Sequence, residues 1–92
     1  MIVARRFVVS GRVQGVGYRF HARDAAVREG LRGFVRNLAD GRVEVEAAGD
    51  AEAMERFERT LRQGPPAGRV DALAVTETTP GAAAPAFRIE LE

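Results

Sequence analysis

The 92-residue sequence predicts one α+β domain in which two helices cover one face of a β-sheet. Segments that alternate apolar and polar residues are interleaved with two segments of helical character, in the order βαββαβ, and a short C-terminal strand follows. A chain of this length supports one hydrophobic core, and its 46% hydrophobic and 29% charged residues are typical of folded proteins. We therefore expect residues 1–92 to form a single domain.

The first strand and the first helix flank a glycine-rich loop. Residues 5–13, RRFVVSGRV, alternate so that Phe7, Val9 and Val13 share the better-buried face of a strand. After VQGVG, the segment RFHARDAAVREG is rich in helix formers and can end at Gly30. Its residues expected to face the core are Ala22, Ala25, Ala26 and Val27.

The next two strands are predicted as a hairpin. Residues 31–38, LRGFVRNL, precede the turn residues Ala39-Asp40-Gly41, and RVEVEAAG follows. In the second of these strands the apolar residues alternate with Glu44 and Glu46, which we expect on a solvated face.

The second helix and the last strands complete the pattern. Asp50 can cap a helix in which Met54, Phe57 and Leu61 recur on one face, and Gly64-Pro65-Pro66 ends it. A strand, RVDALAVTET, is followed by a loop from Pro80 to Pro85 and by a short strand around Phe87 to Leu91.

This element order is that of the ferredoxin-like split βαβ fold, with two helices on one face of an antiparallel sheet. Right-handed crossovers make strands one and two parallel, with strand three between them, so that their carboxyl ends share one edge. The glycine-rich loop follows strand one and Asn37 lies near the end of strand two. Both are therefore expected at this edge, about 10 Å apart across two strand spacings.

The loop Gln14-Gly15-Val16-Gly17-Tyr18 has the character of an anion site. Glycines let successive backbone N–H groups converge, and the helix that follows adds its unpaired N–H groups and the positive end of its dipole. Arg19, in the first helical turn, can close over the anion with a planar fork. Taken alone, the loop is weak evidence, because the glycines could merely turn the chain while Arg19 remains solvated.

Two motifs resemble the acylphosphatase family: GRVQGVGYR at residues 11–19, and GFVRN at 33–37 followed by Gly41, Val43 and Gly49. The resemblance spans essentially the whole chain. It implies hydrolysis of a small acyl phosphate to a carboxylate and inorganic phosphate, without metal or cofactor. In that assignment Arg19 holds the phosphoryl group, Asn37 orients the attacking water, and backbone amides from Gly15 to Arg19 form the phosphate cradle. The phosphate-binding residues are then Gln14, Gly15, Val16, Gly17, Tyr18 and Arg19.

Such a reaction needs few catalytic groups. The leaving carboxylate is a weak base, so a general acid adds little, and positioning with charge stabilisation can suffice. Asn37 cannot take a proton, so we expect the substrate phosphate to accept it. The sole histidine, His21, should point to a different helix face from Arg19, in a surface or packing role. We expect Tyr18 to pack beside the loop and all five phenylalanines to belong to the core.

Composition weighs against several other functions. The sequence has no cysteine, and its fourteen basic residues, all arginine, are balanced by thirteen acidic ones to a net charge of +1. A nucleic-acid site is therefore not expected, nor is a metal site. The first residues are too short an apolar run for a signal or a membrane span, so a cytoplasmic monomer is expected.

Two alternatives remain open at this point. The first is a non-catalytic ferredoxin-like binding module with a regulatory or RNA-binding function, because this fold hosts unrelated functions. The second keeps the fold but changes the substrate, since acylphosphatase-like domains also occur in long carbamoyl-transfer maturation enzymes. The shortness of this chain favours simple hydrolysis.

Overall fold

The structure, a computed structural model, describes residues 1–79 and 86–91. The element order predicted from the sequence is confirmed. The elements are β1 (Ile2–Arg12), α1 (Tyr18–Arg28), β2 (Arg32–Asn37), β3 (Val43–Asp50), α2 (Ala51–Gln63), β4 (Arg69–Thr78) and β5 (Phe87–Ile89). The loop expected from Pro80 to Pro85 lies outside the described residues. No helix in the described part of the chain is both long and apolar enough to cross a membrane.

The strands form one five-stranded sheet in the order β4-β1-β3-β2-β5. As predicted, β3 lies between β1 and β2 and pairs antiparallel with both. β4 is antiparallel to β1. The short β5 pairs parallel with β2, so the description of the sheet as antiparallel does not extend to β5 and the complete sheet is mixed. The predicted ferredoxin-like α+β arrangement is confirmed.

The core lies between the sheet and the two helices. Met54, Phe57 and Leu61 are fully buried, as their helical spacing predicts, and the Phe57 ring meets Phe7 edge to face at 5.9 Å. Asp50 caps α2 as predicted, because its carboxylate accepts hydrogen bonds from the backbone of Glu52 and Ala53. In α1 the predicted alanines are buried, whereas Val27 is 62% exposed.

Two phenylalanines lie outside the core, contrary to the sequence prediction. Phe20 is 56% exposed. Phe34 is on the sheet face away from the helices, where the guanidinium groups of Arg36 and Arg88 lie 5.5 and 5.8 Å from its ring centroid. Aromatic residues are usually buried, but cation–π contacts with arginine also accommodate them at a surface.

Glu44 was predicted on a solvated face, and this prediction is wrong. Its side chain does face away from the helices, but the residue is only 4% exposed. The Nε atoms of Arg6 and Arg36, on the strands at either side, donate to its two oxygens at 2.5 and 2.6 Å. Burial acts to raise the pKa of Glu44, but these hydrogen bonds and charges outweigh burial and hold the pKa below its ordinary value.

The connection between β2 and β3 is the predicted tight turn. Leu38 and Arg42 close it with a backbone hydrogen bond of 2.8 Å from Leu38 N to Arg42 O. Gly41 adopts φ +95°, a conformation that favours glycine and suits the end of a short hairpin loop. The turn therefore holds the end of β2, and with it Asn37, in a defined position.

Candidate functional site

The end of β2 and the loop between β1 and α1 border one cavity of about 190 Å³. They meet there because β3 pairs with both β1 and β2 and brings their carboxyl ends to one edge of the sheet. Pockets for drug-sized ligands start at roughly 300 Å³, so this cavity suits a small group. Its lining residues are Val13, Gly15, Gly17, Tyr18, Arg19, Phe20 and Asn37.

The loop backbone is shaped by two glycines in the left-handed region. Gly15 has φ +76° and Gly17 has φ +81°. A Cβ at either position would meet no atom within 4 Å, so glycine is required for the backbone conformation rather than for space. Gly17 is also the N-cap of α1, and among residues 1–79 and 86–91 no side chain caps the N–H groups there. Those groups are consequently available to an anion in the cavity.

Arg19 supplies the positive charge of the cavity. It lies in the first turn of α1 and is partly buried. Within the described part of the chain it forms no salt bridge, and the first turn of α1 contains no acidic residue. The guanidinium charge and the helix dipole therefore act together on whatever occupies the cavity.

Asn37, the last residue of β2, lines the same cavity. Its Oδ1 atom is buried and accepts no hydrogen bond from any described residue. Leaving a buried acceptor unpaired costs about 1–3 kcal/mol, which is why such atoms are rare away from functional sites. An oxygen of this kind can accept a hydrogen bond from a water molecule or a hydroxyl group in the cavity.

Two side chains attach the start of α1 to the end of α2. The buried Tyr18 hydroxyl donates to Leu61 O at 2.8 Å, and His21 Nε2 lies 3.1 Å from Thr60 O. Burial raises the pKa of Tyr18, so its hydroxyl keeps the proton that it donates. His21 does not line the cavity, which agrees with the packing role expected for it.

Not every residue of the predicted phosphate-binding segment lines the cavity. The Gln14 side chain turns toward the β2–β3 turn, where Nε2 donates to Leu38 O at 2.9 Å and to Arg42 O at 3.0 Å. Val16 packs against the hydrophobic core. Gly15, Gly17, Tyr18 and Arg19 do come together with Asn37 as expected.

Val13 and Phe20 line the cavity although the sequence did not assign them to it. Val13 directly precedes the loop, and its apolar character suggested only the core. The position of Phe20 outside the core could have been predicted from helical spacing. The buried stripe of α1 runs through Tyr18, Ala22, Ala25 and Ala26, and Phe20 lies off that stripe.

The described residues contain no group of three or more His, Cys, Asp or Glu side chains placed to hold a metal ion. The polar groups around the cavity are instead backbone N–H donors, one arginine and one carboxamide. This set can bind a small anion and orient a neutral molecule beside it.

Similar proteins were found by sequence and by structure. A protein named acylphosphatase from Koribacter versatilis is 49% identical over 86 residues, which cover 94% of this chain and 78% of that one. An acylphosphatase from Xanthomonas euvesicatoria is 59% identical over 75 residues, covering 82% and 83% of the two chains.

Among solved structures, acylphosphatase from Bacillus subtilis superimposes with a TM-score of 0.92 at 37% identity and covers 98% of this chain and 99% of its own. Full-length HypF, solved in a phosphate- and nucleotide-bound form, matches with a TM-score of 0.86 at 28% identity. That match covers 98% of this chain but only 12% of HypF. The family model of acylphosphatase matches residues 5–89, and this chain therefore belongs to the acylphosphatase family.

Proposed function

We propose that this protein is an acylphosphatase that hydrolyses small acyl phosphates to a carboxylate and inorganic phosphate. One observation carries the proposal: Asn37, whose buried Oδ1 has no hydrogen-bond partner among the described residues, lines the same small cavity as Arg19 and the glycine-rich loop. A cavity lined both by anion-binding groups and by a carboxamide suits a phosphate with a water molecule beside it. Membership of the acylphosphatase family supports this assignment.

Arg19 and the loop bind the phosphoryl group in this proposal. The guanidinium fork contacts two of the three phosphoryl oxygens, and the backbone N–H groups from Gly15 to Arg19 contact the third. In the transition state, charge spreads over these same oxygens, so fixed donors stabilise it without rearranging. The bond from phosphorus to the acyl oxygen breaks, and the carboxylate leaves with the electron pair.

Asn37 positions the water that attacks phosphorus. Its Oδ1 accepts one water hydrogen, which turns an oxygen lone pair toward the phosphoryl group. The water proton passes to a phosphoryl oxygen, because a neutral carboxamide takes no proton near pH 7 and His21 lies outside the cavity. The chain thus contributes binding and orientation, and the substrate itself accepts the proton.

The test is steady-state hydrolysis of benzoyl phosphate in the presence of a chelator, with inorganic phosphate as competitive inhibitor. Asn37→Ala should lower kcat roughly a hundredfold or more and leave the inhibition constant of phosphate within about threefold. Arg19→Lys should impair both turnover and phosphate binding, because lysine keeps the charge but loses the fork. Arg59→Lys, the same change at an exposed position of α2, is the matched control.

Each outcome bears on one part of the proposal. A wild-type protein without hydrolytic activity on benzoyl phosphate or acetyl phosphate would refute the function. Weakened phosphate inhibition with normal kcat in Asn37→Ala would refute its role in orienting water. Nearly unchanged activity in Arg19→Lys would refute the argument from the fork.

We also propose that the protein is a single-domain monomer in the cytoplasm and that its partners are an acyl phosphate and inorganic phosphate. The lack of cysteine is compatible with a reducing compartment. Light scattering after size exclusion should give a mass near 10.0 kDa, and cell fractionation should place the protein in the cytoplasm. A stable dimer or recovery outside the cytoplasm would contradict these points.

A further inference from the structure

We infer that Gln14 is a positioning residue that fixes Asn37 relative to the phosphate-binding loop. This inference rests on the proposed function. It differs from the sequence expectation, in which Gln14 belonged to the segment that contacts phosphate.

The side-chain amide of Gln14 connects the two halves of the site. Its Nε2 lies 2.9 Å from Leu38 O and 3.0 Å from Arg42 O, the carbonyl groups of the residues that close the β2–β3 turn. Leu38 directly follows Asn37, and Gln14 directly precedes Gly15. The Gln14 side chain therefore connects the start of the phosphate-binding loop to the backbone directly after Asn37.

Both hydrogen atoms of this amide are committed to those contacts. Carbonyl oxygens only accept hydrogen bonds, so the NH₂ end of Gln14 must face them and its two hydrogens serve the two carbonyls. No side-chain donor remains for a phosphate. The Gln14 side chain therefore acts on the reaction through Asn37 rather than through the substrate.

The sheet itself does not supply this connection. The pairing of β1 with β3 ends at Val9 opposite Val43, and Asn37 is opposite the same Val43. Beyond a register shift at Ser10 and Gly11, the end of β1 pairs with β4, on the side away from β2. The phosphate-binding loop therefore follows a part of β1 that no longer pairs with β3. The hydrogen bonds of Gln14 connect this loop directly to the end of β2.

The experiment compares Gln14→Met with wild type in benzoyl phosphate hydrolysis, because methionine has a similar length and no donor. We expect kcat to fall roughly tenfold to a hundredfold, as for a displaced reactant. The phosphate inhibition constant should stay within about threefold, since Arg19 and the loop N–H groups remain. Gln63→Met is the matched control, because Gln63 is exposed at the end of α2 and its side chain bonds to no described residue.

A double-mutant cycle separates positioning from general structural damage. If Gln14 acts through Asn37, adding Gln14→Met to Asn37→Ala should lower kcat further by about twofold or less. An equal loss in both backgrounds would overturn the inference, as would an unchanged kcat in Gln14→Met. A rise in the phosphate inhibition constant that matches the loss in turnover would make Gln14 a phosphate ligand and also overturn it.

A second readout does not depend on catalysis. Asn37 is the only asparagine, so its side-chain amide gives a resonance in an NMR spectrum that belongs to no other asparagine. Gln14→Met should shift or broaden that resonance, and Gln63→Met should leave it unchanged. If the wild-type protein fails to hydrolyse acyl phosphates, the proposed function fails, while this spectrum still decides the link between Gln14 and Asn37. An unmoved Asn37 resonance in Gln14→Met would refute the link.

Discussion

Removing the charge of Glu44 should destabilise the fold although this residue lies away from the cavity. Glu44 is buried and accepts charge-assisted hydrogen bonds from Arg6 and Arg36, each of which is worth about 1.5–3 kcal/mol. The arginine side chains are 39% and 43% exposed, so they can return to water when the carboxylate is lost. We therefore expect Glu44→Gln to lower the free energy of unfolding by about 2 kcal/mol, at the low end of that range.

Thermal and urea unfolding measure this loss. For a domain of this size, about 2 kcal/mol corresponds to a decrease in Tm of about 10 °C. The control is Glu46→Gln, the same change two residues along the same strand face, where the carboxylate forms no salt bridge within the described part of the chain. Glu46→Gln should stay within about 0.5 kcal/mol of wild type.

The pH dependence gives the sharper test. The folded pKa of Glu44 is below its ordinary value of 4.5, so its contribution is complete above that pH and is lost as the pH falls through the folded pKa. The stability difference between wild type and Glu44→Gln should therefore be constant near pH 7 and should shrink below pH 4.5. A variant as stable as wild type at pH 7, or a difference that persists undiminished in acid, would refute the reasoning.

Two further predictions concern the surroundings of the cavity. Tyr18→Phe removes the donor to Leu61 O and leaves that carbonyl unpaired, so urea unfolding should show a loss of about 1–3 kcal/mol; unchanged stability would show that the bond contributes nothing. Phe20→Ala should raise the KM for benzoyl phosphate roughly two- to tenfold and that for acetyl phosphate less, because an exposed ring at the cavity can pack on an aromatic acyl group. Val27→Ala, at an exposed position of the same helix, is the control, and equal changes for both substrates would contradict the packing role.

The sequence was sufficient for the main elements and for the edge at which the site lies. Alternation and helical spacing are local signals, and the handedness of the crossovers then determines that β3 separates β1 and β2. The pairing of β5 could not be obtained in this way. It has only three residues, and its parallel contact with β2 depends on the tertiary arrangement.

The sequence also could not predict side-chain contacts between residues far apart in the chain. Glu44 alternates with buried valines and so resembles a solvated residue, and its burial depends on Arg6, 38 positions away. Gln14 was assigned to phosphate because it lies in the glycine-rich segment. Its actual contacts, on the carbonyls of Leu38 and Arg42, are 24 and 28 positions away and leave no local pattern. Phe20 was assigned to the core from its apolar character, although its helical phase indicates otherwise.

The central place of β3 has a consequence for how the protein becomes active. The loop that leads to Arg19 follows β1, and Asn37 ends β2; these two strands flank β3 and do not pair with each other. A partly folded chain in which either pairing is missing contains only half of the reaction centre. Recovery of hydrolysis during refolding should therefore report completion of the sheet. Its rate should be limited by the β1–β3 pairings, such as Val3 with Gly49, which join residues far apart in the chain.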